Sequence, residues 1–258
     1  MDNTSARETA TVRLTPLGGP TVLLELGPLR LLVDPTFDPP GTYPVGSRAL
    51  VKTQPALVGP EGVGRIDAVL LSHDQHPDNL DSGGRRFLAT VPVVLTTTAA
   101  AERLGDPSRG LVPWEEFQLG STTVTALPAQ HGPDGCEPLT GPVIGFLLTT
   151  PGAASVYVSG DNASLNVVRT IAARGPAVDV AVLFAGAART PLLDGFLTLT
   201  SEQAAQAAVI LGRPRVLAAH TDGWEHFTEN GAQFAAAFAR AGIAELLLPA
   251  EPGTASTV

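Results

Sequence analysis

Three of the five histidines in this chain stand directly after apolar runs: His73 in AVLLSH, His131 in VTALPAQH and His220 in RVLAAH. Asp161 closes a fourth such run, VYVSGD. An apolar run that breaks into polar residues reads as a buried strand opening into a loop. Strand ends are rigid anchors, so side chains placed there can converge on one mouth of a sandwich. Imidazoles and carboxylates together suit zinc, iron or manganese, and a mixed set leaves room for water as a further ligand. The densest stretch is LSHDQHPDNLD, residues 71–81, which places His73, His76, Asp74, Asp78 and Asp81 immediately after an apolar segment. So many polar groups beside a core strand require solvent, mutual pairing or a metal.

The elements that must carry these residues can be read in outline. TVRLTPL, TVLLEL and LRLLVD form three short strands separated by Gly18-Gly19-Pro20 and Gly27-Pro28. A Pro- and Gly-rich loop, residues 35–64, follows; its length suits a cover over a pocket, with Phe37 and Tyr43 as closing residues. Residues 66–71 read as a buried strand, 79–90 hold the start of a helix, VPVVLTT is a strand, and TAAAERLG is a helix closed by Gly105. STTVTALPA alternates as a strand, VIGFLLTT and ASVYVSG pair, and a helix over 164–174 leads to the strand VDVAVLFAG. Then come a helix capped by Ser201 and ended by Gly212, the strand RVLAAH, a helix over 231–241 and a last strand, ELLLPA. This order predicts an α+β fold, two facing mixed sheets with helices outside both, in one domain spanning 1–258.

With these motifs in place the sequence resembles the metallo-β-lactamase superfamily. That family carries a His-x-His-x-Asp-His loop after a strand, then a lone His, a lone Asp and a final His. LSHDQHPDN, AQHG, VSGD and AAHTDG follow that order over residues 71–223. The opening LLVDPTF, with Asp34, resembles the branch that includes L-ascorbate-6-phosphate lactonase. The resemblance implies a four-layer αβ/βα sandwich and a metal-dependent hydrolase. One inserted residue aligns His73, His76 and Asp78 with the motif and puts Asn79 in place of its last histidine. By analogy His73, His76 and His131 form one metal site, Asp78 and His220 the other, and Asp161 bridges them. Neutral Asn79 is a poor ligand for a borderline cation, which leaves the second site weak, empty or completed by Asp74. Zn2+, as one or two ions, is the first expectation, with Mn2+ or Fe2+ as alternatives. A metal so held lowers the pKa of water towards roughly 7, and the resulting hydroxide attacks an ester, lactone, amide or phosphoester of a small molecule. Asp78 is the expected catalytic residue, orienting the attacking water.

Other residues have two readings each. His226 lines the pocket beside His220 or packs against Trp224. Thr221 and Asp222 fix the His220 tautomer or simply make the turn. Cys136 reads as a small buried hydrophobe, and Asp34 as a brace for its loop. Two further functional readings compete with hydrolysis: an iron enzyme with non-hydrolytic chemistry on the same fold, and a ligand-binding scaffold without activity.

Composition narrows the partners. The 258 residues are 44% hydrophobic and 16% charged, enough for a large core and unlike a disordered chain. A formal net charge of -9 without any Lys/Arg run disfavours nucleic acid. The start of the chain is polar, no stretch of about 18 apolar residues occurs, and the single cysteine fits a reducing compartment. The expectation is therefore a cytoplasmic protein that meets no membrane and acts on a small molecule; the sequence sets no oligomeric state.

Overall fold

The computed structural model describes residues 11–46 and 48–258. The polar start of the chain, residues 1–10, on which the expectation of a cytoplasmic protein partly rests, lies outside them. In chain order the strands are β1 (Val12–Gly18), β2 (Thr21–Leu26), β3 (Leu29–Val33), β4 (Gly41–Val45), β5 (Arg48–Lys52), β6 (Ala68–Leu70), β7 (Val94–Thr97), β8 (Ser108–Leu111), β9 (Glu116–Leu119), β10 (Thr122–Pro128), β11 (Ile144–Thr149), β12 (Val156–Val158), β13 (Val180–Phe184), β14 (Arg215–Ala219) and β15 (Ser256–Thr257). The helices are α1 (Ser82–Leu88), α2 (Thr98–Leu104), α3 (Glu137–Thr140), α4 (Leu165–Arg174), α5 (Ser201–Ile210) and α6 (Gly231–Arg240). One sheet has the order β15-β1-β2-β3-β6-β7-β8, the other β14-β13-β12-β11-β10-β9, and β4-β5 stand apart as a hairpin.

The two-residue period of the strands decides the layers. Val156 and Val158 face inward with Phe146, Leu14, Leu24 and Leu31, so this core lies between the sheets. Tyr157 points the other way, onto Val168 of α4, Ala204 of α5 and Phe234 and Phe238 of α6. On the opposite side Leu32 and Val69 meet Phe87 and Leu88 of α1. Burying each such large apolar side chain contributes about 1.5–3 kcal/mol relative to exposure, so shifting a strand by one residue would expose a whole row. The result is the expected four-layer sandwich: helices, sheet, sheet, helices.

The structure corrects several local expectations. The helix read as capped by Ser201 is capped by Thr200, because Gln203 sits three residues on and closes a reciprocal capping box. ELLLPA is no strand: a 3-10 turn takes Ala244–Leu246, and a single bridge joins Leu247 to Val216. Pro249 has no N–H with which to extend that ladder. The last strand is β15, too short to show a pattern. Within 35–64 lie the hairpin β4-β5 and a 3-10 turn, Pro60–Val63.

Candidate metal centre

Strand direction brings the predicted residues together. β3, β6 and β7 run parallel, so their C-terminal ends share one edge. β12, β13 and β14 are parallel too, and β10 has their direction because it and β12 both pair antiparallel with β11. Asp34 follows β3; His73, His76 and Asp78 follow β6; His131 follows β10, Asp161 follows β12 and His220 follows β14. All six predicted ligands meet in two adjoining groups, His73/His76/His131 and Asp78/Asp161/His220, whose donor atoms lie within 4.8 Å of one another in each group.

Tight turns aim these side chains. Asp34 and His220 have left-handed backbones (φ 37° and 58°), a conformation costing about 1–3 kcal/mol for a residue with a side chain. The Asp34 N–H donates to Leu70 O (3.1 Å) and the His220 N–H to Gly19 O (2.8 Å), which holds both in place. Before Asp161, Gly160 has φ 56°, and a Cβ there would stand 2.7 Å from Ile144 O and 3.0 Å from the Ser72 Cβ. Only glycine makes that approach.

In the three-histidine group, His76 Nδ1 stands 3.0 Å from His73 Nε2 and 3.2 Å from His131 Nε2. The far nitrogens fix the tautomers. His131 Nδ1 donates to the Leu197 carbonyl (2.9 Å), which leaves a lone pair on Nε2. His73 Nδ1 lies 3.0 Å from Ser72 Oγ, and that hydroxyl donates to Asp34 Oδ2 (2.6 Å). His73 therefore donates to Ser72, leaving its own Nε2 unprotonated. Burial pushes the His73 imidazole well below its usual pKa, and burial with repulsion from His131 takes His76 down to about 4. These rings are neutral at pH 7, as metal ligands must be.

In the second group, His220 Nε2 stands 3.3 Å from Asp78 Oδ2 and 3.5 Å from Asp161 Oδ1. Asp161 Oδ2 lies 3.6 Å from His131 Nε2, so this carboxylate offers one oxygen to each group. Burial opposes ionisation of both acids, but His226 and His220 hold Asp78 well below the carboxylate range, and His220, His131 and His73 hold Asp161 down. Burial lowers His220 as well, and Asp161 and Asp78 more than reverse it. His220 Nε2 and Asp78 Oδ1 are buried without hydrogen-bond partners. Converging neutral imidazoles, ionised buried carboxylates and unpartnered donor atoms fit a divalent cation.

The sequence matches the family model described as Beta-lactamase superfamily domain over residues 29–221. The chain belongs to the β-lactamase superfamily. No curated protein matches it significantly. Among solved structures, a possible metal-dependent hydrolase from Veillonella parvula DSM 2008 superposes with TM-score 0.84 at 18% identity, covering 96% of this chain and 100% of its own. The isothiocyanate hydrolase from Delia radicum gut bacteria gives 0.81 at 20% identity, covering 95% and 98%. CmlA, a diiron β-hydroxylase from Streptomyces venezuelae, gives 0.68 at 18% identity, covering 96% of this chain and 54% of its own. These likenesses establish the β-lactamase superfamily fold.

On this superfamily scaffold some predicted residues fall elsewhere. Asp74 is bound to Arg103 and lies 3.6 Å from Arg85 Nη2, so it does not complete the second group. Asp222 does not touch His220; it accepts the Gly19 N–H (2.6 Å), while His220 Nδ1 has no partner. Asn79 is fully buried and donates to Asp34 Oδ2 (3.0 Å) and Asp161 Oδ1 (3.1 Å). His226 does both things expected of it, meeting Trp224 edge-on at 6.2 Å and placing Nε2 3.0 Å from Asp78 Oδ2. Cys136 is buried, its thiol donating to His131 O. Phe37 and Tyr43 pack on Phe87 and Trp224.

A cavity opens over the two groups, reaching His76, Asp78, His131, Asp161 and His226. Its walls are Val45, Arg48 and Leu50 of the hairpin with Leu139, Arg189, Leu192, Leu193 and Leu197. A larger hollow of about 740 Å³ touches only His131 among the six residues. Nothing in the sequence pointed to Leu197, whose carbonyl sets the His131 tautomer, or to Phe184 and Phe227, which pack against the His220 ring at 5.4 and 4.0 Å. Ser72 was detectable, since a hydroxyl preceding a ligand histidine is placed to brace it.

Proposed function

We propose that this chain is a metal-dependent hydrolase that cleaves an ester, lactone, amide or phosphoester of a small molecule. The observation that carries the reading is the three-histidine group: three ring nitrogens face one another, and two of the rings are braced from behind. His73, His76 and His131 would hold one ion, Asp78, Asp161 and His220 a second. When bound, zinc supplies a Lewis acid and water of lowered pKa. Asp78 keeps one oxygen, Oδ1, free of hydrogen bonds beside the cavity, and it would orient the attacking water. The hairpin β4-β5 would cover the substrate, and its leucine-rich walls would exclude bulk water. Arg48 and Arg189 give the mouth two cationic groups that suit a substrate with a negative end. Asp34 at the end of β3 supports placement near the lactonase-like branch. No described helix is long and apolar enough to cross a membrane.

Metal analysis tests the reading directly. The purified protein is expected to carry zinc and to hydrolyse members of an ester, lactone and phosphodiester panel, with loss on chelation and recovery on adding zinc. Less than roughly a tenth of an equivalent, with no gain on reconstitution, would end it. Asp161, with an oxygen toward each group, also suits a pair of iron ions; a visible absorption band in the purified protein would favour that reading over zinc.

A further inference from the structure

The superfamily pattern places an imidazole at the position held by Asn79. Asn79 turns its amide nitrogen to Asp34 and Asp161, and its Oδ1, buried without a hydrogen-bond partner, is a neutral oxygen and a poorer ligand than an imidazole for a borderline cation. The second group is thus left with two acids and one histidine, Asp78, Asp161 and His220.

A different segment brings another imidazole to the same place. His226 lies in the loop after β14, beyond the left-handed turn at Gly223 (φ 81°), and its side chain is 14% exposed at the cavity wall. Its Nε2 is 3.0 Å from Asp78 Oδ2, the oxygen that also faces His220 Nε2 at 3.3 Å. The choice of oxygen is informative. A residue that merely braces a ligand carboxylate bonds the oxygen turned away from the metal. Here His226 stands at Asp78 Oδ2, the oxygen that faces His220 of the second group. The ring is set by Phe227 at 4.6 Å and by Trp224.

Resting on the metal-site reading above, we infer that His226 is the fourth protein ligand of the second site, replacing from the β14 loop the imidazole absent at position 79. The site so completed has two imidazoles and two carboxylates, a set for a borderline divalent cation such as zinc.

Titration calorimetry with Zn2+ alone, on the wild type, His226→Ala and the double variant Asn79→His/His226→Ala, tests this, with X-ray absorption counting imidazoles per metal. The wild type is expected to take two equivalents. His226→Ala keeps the first with unchanged affinity and binds the second roughly 100-fold more weakly, as loss of one of four donors implies. The double variant regains it, which a brace for Asp78 would not achieve from position 79. If the double variant does not fold, the imidazole count decides: five per two zinc ions in the wild type supports the assignment, and four overturns it. Two equivalents with wild-type affinities in His226→Ala also overturn it, as does a single equivalent in the wild type. No bound zinc in any protein would instead defeat the metal-site reading itself.

Discussion

The three-histidine corner and the carboxylate corner adjoin at 3.6 Å, between His131 and Asp161, yet they are held by different means. In the first, His131 is fixed by a backbone carbonyl and His73 by the Ser72–Asp34 pair. In the second, His220 has no hydrogen bond to its outer nitrogen and is held by the faces of Phe184 and Phe227. Hydrogen bonds fix a tautomer as well as an orientation, whereas aromatic packing fixes orientation alone. The corners also differ in how they hold protons. Burial lowers the pKa of His73 and His76 in the first, while Asp161 and Asp78 raise that of His220 in the second, so a cation competes with protons more strongly there. The contrast predicts ordered loading, the three-histidine site first and the other later and with stronger dependence on pH.

The sharpest way to break this contrast is His131→Ala. Dividing the ~10–16 kcal/mol of a four-donor zinc site among its ligands gives about 2.5–4 kcal/mol each. The tight first equivalent should therefore weaken about 10²–10³-fold in competition with a chelator. If the second equivalent weakens equally, the corners are not independent and the contrast fails.

Asp34 belongs to both corners, bonded to Ser72 on one side and Asn79 on the other, and burial pushes its carboxyl up to about 7 from 3.8. Because the folded-state value is raised, its contribution to stability is present below about pH 4 and is lost as pH rises to about 7. Denaturant unfolding of the metal-free proteins should show the stability of the wild type relative to Asp34→Asn falling by about 2–4 kcal/mol across that window. The lowered pKa values of His73 and His76 act in the opposite sense but are common to both proteins, so they cancel in the difference. Parallel pH profiles for the two would show that Asp34 does not link the corners in this way.

Ser72→Ala is the mildest probe. Loss of a partner behind a ligand histidine typically weakens metal binding ~10–100-fold, and the effect should fall on the first equivalent alone. Equal weakening of both equivalents in the same titration would mean that the two corners share their bracing.

That these side chains converge was legible because the signal is local: an apolar strand followed at once by His or Asp, four times over. The layers were legible from the same runs, since alternation such as Val156-Tyr157-Val158 names both faces of a strand. What was hidden depends on distant parts of the chain. That Asp74 belongs to Arg103, 29 residues on, could not be told from the same Asp/His cluster that supplies Asp78. The choice of Leu197 O for His131 is made by a backbone atom, which carries no sequence signal. The hairpin β4-β5 escaped because its residues are half-buried or exposed except Lys52, and one strand contains Pro44; with no buried apolar face, it has no strand pattern to read.

That hairpin is fastened at its base. The Lys52 ammonium, at the end of β5, is buried against Asp81 (3.1 Å), and the same carboxylate accepts the N–H groups of Gly84 in α1 (2.8 Å) and Asp38 (2.6 Å). One acid thus knots together the cover of the cavity, the segment leading into it and the helix that begins just after the metal loop. The span from Tyr43 to Leu50 can consequently be exchanged for other sequences, by evolution or in the laboratory, while the knot keeps the clustered histidines and acids in register, so that what the cavity accepts can change without disturbing the groups beneath it.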